Sequence, residues 1–549
     1  MKQVPSTSTV VSRNLIWGSD ITFVLTGTVQ PYEYLVNVLP VNQTNNGVLV
    51  QGADCINNFP LNQLCTNMSI QVNNTTVSSP VNQILDPLLR AVERKDFIQH
   101  NGTTPTQLDT YAQFIGALPQ LVANAPALAA TVGHYPFIPT YNSPLNPYRC
   151  QSNKDGDTSR NSFQLLSITD NTPAGNAAAP RTVTIVVRVR EPIFVSPFLF
   201  GEESEKPGLA GITQINITAN MDSTARRAWL WLLSPTAGST KSVQSVSYAN
   251  SYIECKYYTP KPSDLIPATV VTPLATYTNY QLPAQAPLAA AATGQSTSNS
   301  IMLNSYPDKV FVWIDDALKL ASGAGTAVSP VGNQYLNHYA TITSVVVTLN
   351  NQSGILSTFD ATELFRASIQ SGSKQSWAEF SGTQQDGTND DGTVHYIGTC
   401  GSVLMLDFGA QINIPQDYLC SGSLSTAQFQ ITVNYINNTG ASITPQLNTM
   451  MMYSGILSTT NGSSSAYTSG VLTKSNVLES SARTDMNKDE LARYVGSGLG
   501  STVKSIAASV LPTLKKALGA FDNNYAKAGV DALTKFGYGK KGGLGAKLY

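Results

Sequence analysis

The sequence predicts an all-β protein: two tandem β-sandwiches with short inserted helices, followed by a basic, helical C-terminal tail. Three observations carry this. Charged residues are 12% of the 549, about half the roughly 25% of an average globular protein, with Ser, Thr, Asn and Gln in their place. Short runs alternating apolar and polar residues, separated by Gly, Pro and Asn, recur along most of the chain. One such unit also occurs twice, with its parts in the same order.

The first copy of the unit opens with "NFPLNQLCTNMSIQVNNTTVS" (58–78). Leu64, Met68, Ile70 and Val72 alternate with Asn67, Ser69, Gln71 and Asn73, the period-two pattern of a strand with one buried face. The second opens with "LNHYATITSVVVTLNNQSGILS" (336–357), where Val345, Val347 and Leu349 point inward. Each run ends on an Asn-Asn pair, and Asn favours turns because its side chain bonds nearby backbone and tolerates a left-handed conformation. The offset between the pairs is 350 − 73 = 277. "ILDPLLRA" follows the first turn and "DATELFRA" the second, with Arg90 17 residues beyond Asn73 and Arg366 16 beyond Asn350. Both read as one short helix, with Asp86 or Asp360 near its start, where a carboxylate meets unpaired backbone amides.

Further on, "TVTIVVRVREPIFV" (182–195) matches "SVLMLDFGAQINI" (402–414), with Ile193 against Ile412, and "ITQINITAN" (212–220) matches "AQFQITVNY" (427–435). These later pairs are offset by near 217, so the first unit carries about 60 extra residues, a Pro-, Asn- and Thr-rich insertion over about 96–181. A connection of that length is functional or exposed. "SYIECKYYT" (251–259) and "NTMMMYSGIL" (448–457) close the two units. The expected boundaries are 1–265 for the first sandwich, 266–300 for an Ala/Pro-rich connector, 301–470 for the second sandwich and 471–549 for the tail.

In the tail Val503, Ile506, Val510, Leu514 and Leu518 fall on one helical face, interrupted by Pro512. From Lys504 onward there are eight Lys and two Asp, a net of +6, which leaves −1 − 6 = −7 on the remainder. A net charge of −1 gives the whole molecule no electrostatic preference for nucleic acid or membrane. The six cysteines form no C-x-x-C pair, which speaks against a zinc site and for thiols in a reducing compartment. No apolar signal core or membrane-spanning run is expected, so sequons such as those at Asn42 and Asn216 stay unused.

The strand-Asn-Asn-helix segments, with "PDKVFVWIDD" (307–316) as the opening strand of the second unit and "FSGTQQDGTNDDGTVHYIGTCGSVLMLDFG" (380–409) as its following loop and strand, resemble the double jelly-roll major capsid proteins of the adenovirus, tectivirus, virophage and Polinton-like lineage. The resemblance spans about residues 10–470. It implies two jelly rolls standing perpendicular to a shell, a homotrimer with six similar lobes, and pseudo-hexameric blocks tiling an icosahedral capsid lattice in the virion. It also implies penton and minor capsid or cement proteins as partners, and a host receptor that the sequence leaves unnamed. On this reading the tail faces the particle interior, and Lys504, Lys515, Lys516, Lys527, Lys535, Lys540, Lys541 and Lys547 contact genome, internal membrane or cement proteins.

Catalytic patterns are weak, and neither enzymatic activity nor a cofactor is expected. His100, His134, His338 and His395 have no G-x-S-x-G serine to pair with. "DGTNDDG" (386–392) has close oxygen ligands but lacks the downstream Glu of a calcium loop, and "GSGLGS" (496–501) follows a helical run without a Gly-Lys-Ser/Thr. Arg226-Arg227 reads as the edge of a core element. Two other functions fit less well: a single-roll RNA-virus capsid with a projecting domain and a membrane-active C-terminal peptide, and a jelly-roll glycan-binding protein or hydrolase. The first calls for a basic N-terminal arm, where residues 1–20 hold only Lys2, Arg13 and Asp20, and the second for clustered carboxylates and aromatics.

Overall fold

The structure, a computed structural model, describes residues 2–3, 10–28, 55–56, 59–92, 164–170, 181–198, 208–222, 229–230, 240–258, 269–317, 339–350, 352–388, 394–414, 421–438, 442–460 and 462–467. Most of the 96–181 insertion and all of the tail beyond Tyr467 lie outside these residues.

Two sandwiches form, each from a sheet of long strands (the wall sheet) and a sheet containing the Asn-Asn hairpin (the hairpin sheet). In the second unit the wall sheet runs Thr269–Gln281, Pro445–Thr460, Lys309–Asp316, Leu404–Asp407. Its hairpin sheet runs Thr293–Thr297, Leu424–Ile436, Thr341–Leu349, Gln352–Ile355, with Ile301–Ser305 also on Leu424–Ile436. Counted along the chain, with Thr293–Thr297 and Ile301–Ser305 as one interrupted strand, the two sheets read 1-8-3-6 and 2-7-4-5. That is the order of two interlocked Greek keys, a jelly roll.

The first unit repeats this order except at the edges of its wall sheet, where it adds Gln164–Asp170 beside the counterpart of strand 6. Its wall sheet runs Thr240–Glu254, Ile16–Thr28, Arg181–Pro192, Gln164–Asp170, and its hairpin sheet runs Lys2–Gln3, Gln214–Met221, Cys65–Val72, Thr75–Ser79. Among the described residues it has no counterpart of Thr269–Gln281. A cavity of about 480 Å³, lined by Trp17, Ile215, Ile217, Met221, Tyr248 and Ile253 among others, opens between the two sheets on that flank.

Alternation sets the cores, as the period-two pattern requires. Ile21, Phe23, Leu25, Ile185 and Val187 of the first wall sheet meet Met68, Ile70 and Val72 of the hairpin, all buried. Val310, Val312, Leu404 and Leu406 meet Val345, Val347, Leu349, Phe429 and Ile431 in the second. Both Asn turns take the left-handed backbone that the sequence anticipates, with φ 52° at Asn73 and 54° at Asn350. Each is latched alike. Asn73 N–H donates to the Gln214 carbonyl at 2.8 Å and Asn73 Oδ1 accepts from Gln214 N–H at 3.3 Å. Asn350 N–H donates to the Gln428 carbonyl at 2.7 Å and its Oδ1 accepts from Gln428 N–H at 2.9 Å. This latch sets the offset of that strand pair at 428 − 214 = 214.

Two expectations change. The 266–300 segment contains strands of the second sandwich, and Thr269–Gln281 pairs along all its length with Pro445–Thr460. Lys309–Asp316 is therefore the third strand of its roll, equivalent to Ile16–Thr28, and not the opening one. Ala and Pro disguise the earlier strand. Pro273 lacks an N–H, and it is tolerated because this strand lies at the sheet edge.

The second change concerns a helix. Helix α1 (Pro60–Leu64) precedes the first hairpin, and α2 (Val81–Leu89) follows it. Asp86 lies inside α2 rather than near its start, because the apolar series Val81, Ile84, Leu85, Leu88 and Leu89 starts the helix five residues earlier. Asp86 Oδ1 instead accepts a bond from Gln63 Nε2 at 2.9 Å. In the second unit α3 (Ala361–Gln370) does begin at Asp360. Glu363 N–H donates to Asp360 Oδ1 at 2.8 Å and Asp360 N–H donates to Glu363 Oε2 at 3.2 Å, a capping box. Helix α4 (Trp377–Phe380) follows, capped in the same way by Ser376 and Glu379.

Candidate assembly surfaces

Helix α2 serves two cores. Val81, Leu85 and Leu89 close the first sandwich, while Ile84 and Leu88 project the other way. They meet Tyr277, Phe311, Trp313, Met405, Met450 and Met452 on the outer face of the second wall sheet, together with Tyr339 just ahead of Thr341–Leu349. In Lys309–Asp316 the even positions face the roll's own interior and Phe311 and Trp313 face α2, so this sheet is apolar on both sides. The seam is built like a domain interior, which makes the two rolls one body.

Polar groups complete the seam. Arg90, at the C-cap of α2, is buried, with its guanidinium carbon 5.9 Å from the Tyr339 ring centroid. Burial opposes its charge. The neighbouring Cys400, Tyr339, Glu379 and Asp86 outweigh that and hold the guanidinium above its ordinary range. Its carbonyl accepts from Lys374 N–H of the second roll at 2.8 Å. At the hairpin turn Asn73 Nδ2 donates to Ser463 O at 3.3 Å, and Ser464 N–H donates to Asn74 Oδ1 at 2.6 Å. Ala275 N–H donates to Ser196 Oγ at 2.9 Å, and Thr459 Oγ1 donates to Ala210 O at 2.8 Å.

The buried carboxylates are structural in geometry. Glu191 accepts N–H bonds from Leu61 at 2.7 Å and Asn62 at 2.9 Å, and from Asn62 Nδ2 at 2.7 Å, which seats the start of α1. Burial nevertheless pushes its carboxyl up to about 8, against the pull of those donors. Asp407 lies 3.5 Å from Lys309 Nζ, and burial raises it to about 6 while the ammonium pulls it down. Among the described residues no group of three or more His, Cys, Asp or Glu could hold a metal ion, and no helix is long and apolar enough to cross a membrane.

The lysines expected to make internal contacts, Lys504 to Lys547, lie outside the described residues, as do "GSGLGS" and Arg226-Arg227. So do His100, His134 and His338, whereas His395 sits in the strand Val394–Gly398, paired with Thr383–Thr388, which takes in the first three residues of "DGTNDDG"; the other four lie outside the described residues. The strongest feature, the seam, was not anticipated. Its only trace in the sequence is that α2 carries apolar residues on more of its circumference than one core requires.

Paired jelly rolls of matching strand order, joined through one apolar seam, define a protein of the double jelly-roll class. Two family models match the chain: Sputnik virophage major capsid protein first domain over residues 2–259, and major capsid protein V20 C-terminal domain over residues 276–455. The chain belongs to this double jelly-roll major capsid protein family. A putative capsid protein V20 of Sputnik virophage is 25% identical over 548 residues, covering 94% of this chain and 85% of that protein. The fold is shared with the capsid structure of Sputnik virophage, at TM-score 0.65 and 21% identity, covering 90% of this chain and 89% of the other. It is shared also with the mavirus major capsid protein, at TM-score 0.57 and 13% identity, covering 89% and 91%.

Proposed function

We propose that this major capsid protein assembles through pseudo-hexameric homotrimers that tile an icosahedral shell, acting by association and not by catalysis. The carrying observation is the duplicated roll held by an apolar seam. Two like lobes fixed in one chain give six from three copies, a block that packs six neighbours. Glu191, Asn73, Asn350 and Asp360 are committed to backbone amides, which supports a wholly structural role. Penton and minor capsid proteins would meet the rims of such blocks.

The tail is proposed to face inward and to touch genome or internal membrane through Lys504, Lys515, Lys516, Lys527, Lys535, Lys540, Lys541 and Lys547, a net +6 over 504–549. Sedimentation velocity and electron microscopy of the full chain test the assembly. Three copies of 58.6 kDa, about 176 kDa, with a six-lobed outline are expected. A persistent monomer with glycan affinity would favour the lectin-like alternative. For the tail, nucleic acid or anionic vesicles should co-sediment at low salt and be released as salt rises, and truncation after Val503 should abolish that binding.

A further inference from the structure

In the second roll Thr269–Gln281 pairs residue for residue with Pro445–Thr460 and closes one flank between the two sheets. The same flank of the first roll is the cavity of about 480 Å³. Ile217, Ala219 and Met221 of one sheet and Tyr248 and Ile253 of the other line it, packed against the core yet only half-buried. Sandwich interiors are filled almost to crystal density, so inner-face apolar side chains left this open lack a neighbour. The volume lies within the roughly 300–1,000 Å³ of small-molecule sites. We propose that the cavity binds one neutral, lipid-like molecule of the long-chain alcohol class between the two sheets of the first roll.

The chemistry of the walls selects this class. Among the described residues that line the cavity none is Asp, Glu, Lys, Arg or His. Burial holds the Tyr248 and Tyr257 phenols above their ordinary range, so both stay neutral. The nearby groups that push Tyr248 further up include the acids Asp222 and Glu191. A carboxylate ligand would find no cation here, and burying an unpaired charge is costly. A hydroxyl is suited instead, because the Ser19 and Ser251 hydroxyls, bonded to each other at 2.9 Å, give the otherwise apolar wall one polar end.

A polypeptide strand fits the flank less well, although the second roll holds one there. Pro445–Thr460 keeps an unbroken register with both of its long neighbours. Thr240–Glu254 carries an extra residue at two places, between Val243 and Ser245 and between Ala249 and Tyr252, the second with Asn250 at φ 51°. Bulges of this kind bend an edge away from the straight ladder that an added strand requires. The first roll therefore offers an apolar chamber behind a bulged edge, where the second offers a straight edge.

The test uses the full chain and N-phenyl-1-naphthylamine, a neutral apolar dye that brightens on leaving water. One saturable site per chain is expected, with dodecanol displacing the dye and dodecanoate doing so at least ~10-fold less well at neutral pH. Ala219→Phe, which fills the cavity from one wall, should abolish dye binding without lowering the melting temperature. Ser251→Ala should weaken dodecanol by ~3–10-fold and the dye, which has no hydroxyl, by less. No saturable site, equal displacement by dodecanoate, or dye binding that survives in Ala219→Phe overturns the proposal. Should Ala219→Phe fail to fold, Ser251→Ala decides, and an unchanged dodecanol affinity there overturns it as well. Slow hydrogen exchange along the outer edge of Thr240–Glu254 in ligand-free protein would place a strand in the flank and defeat the proposal outright.

Discussion

Asn73 and Asn350 occupy the same place in two copies of one fold, and replacing each by Gly separates what the side chain does from what the backbone needs. Gly adopts φ near 50° without strain, and the entropy it adds to the unfolded chain is common to both sites, so the difference between the two losses reports the hydrogen bonding. At Asn350 the side chain makes one bond, to Gln428 N–H at 2.9 Å, at a half-buried position where the bond itself is open to water. About 0.5–1 kcal/mol is expected. Asn73 is buried, and its Oδ1 accepts from Thr213 N–H at 2.8 Å and Gln214 N–H at 3.3 Å while Nδ2 donates to Gly211 O at 3.1 Å. Leaving the two shortest-bonded of these backbone groups without partners costs about 1–3 kcal/mol each, so Asn73→Gly should lose ~2–6 kcal/mol. Asn→Ala at either site adds about 1 kcal/mol for a left-handed Ala. Urea unfolding of the full chain, with unchanged slope, gives these differences. Equal losses at the two sites, within ~0.5 kcal/mol, would refute the argument that burial rather than turn geometry makes the first latch the stronger.

Three further outcomes follow from the same structure. Ile84→Ala opens a void in the seam and should cost ~2–4 kcal/mol; calorimetry should then show the two rolls melting as separate transitions, and one unchanged transition would contradict the seam's role. Asp360→Ala removes the side-chain half of the α3 capping box, the bond from Glu363 N–H, while the Asp360 N–H bond to Glu363 remains, and should cost ~1 kcal/mol of stability in urea unfolding, whereas Asp360→Asn should retain most of that. Glu191 is an acid whose folded value, about 8, lies above its ordinary 4.5, so the folded state keeps a proton that the unfolded chain releases. Its stabilising effect is complete below pH ~4.5 and declines as pH rises toward ~8. Melting temperatures across that window should fall for wild type and flatten for Glu191→Gln; parallel curves would show that the group titrates elsewhere.

Much of the fold is legible in the chain because its signals are local. Met68–Val72 and Val345–Leu349 each alternate in burial with a period of two, and an Asn at the end of each supplies the left-handed residue a tight turn requires. The same reasoning missed Thr269–Gln281, since Pro and Ala signal a linker until a neighbouring strand makes them an edge. It misplaced Asp86 as well, because a carboxylate looks like a cap wherever a helix start is uncertain by a few residues.

By itself the sequence determined most of the strands and their turns, because each depends on residues within about ten positions of one another, and it showed the duplication because the same local pattern recurs in the same order. Tertiary structure alone decided which copy of the helix becomes a seam. "LLRA" and "LFRA" are nearly the same words, yet Arg90 is buried against Tyr339 while Arg366 is exposed on the surface. Burial is a property of what lies opposite, and Phe311, Trp313 and Met450 stand more than 200 positions along the chain from the helix they cover.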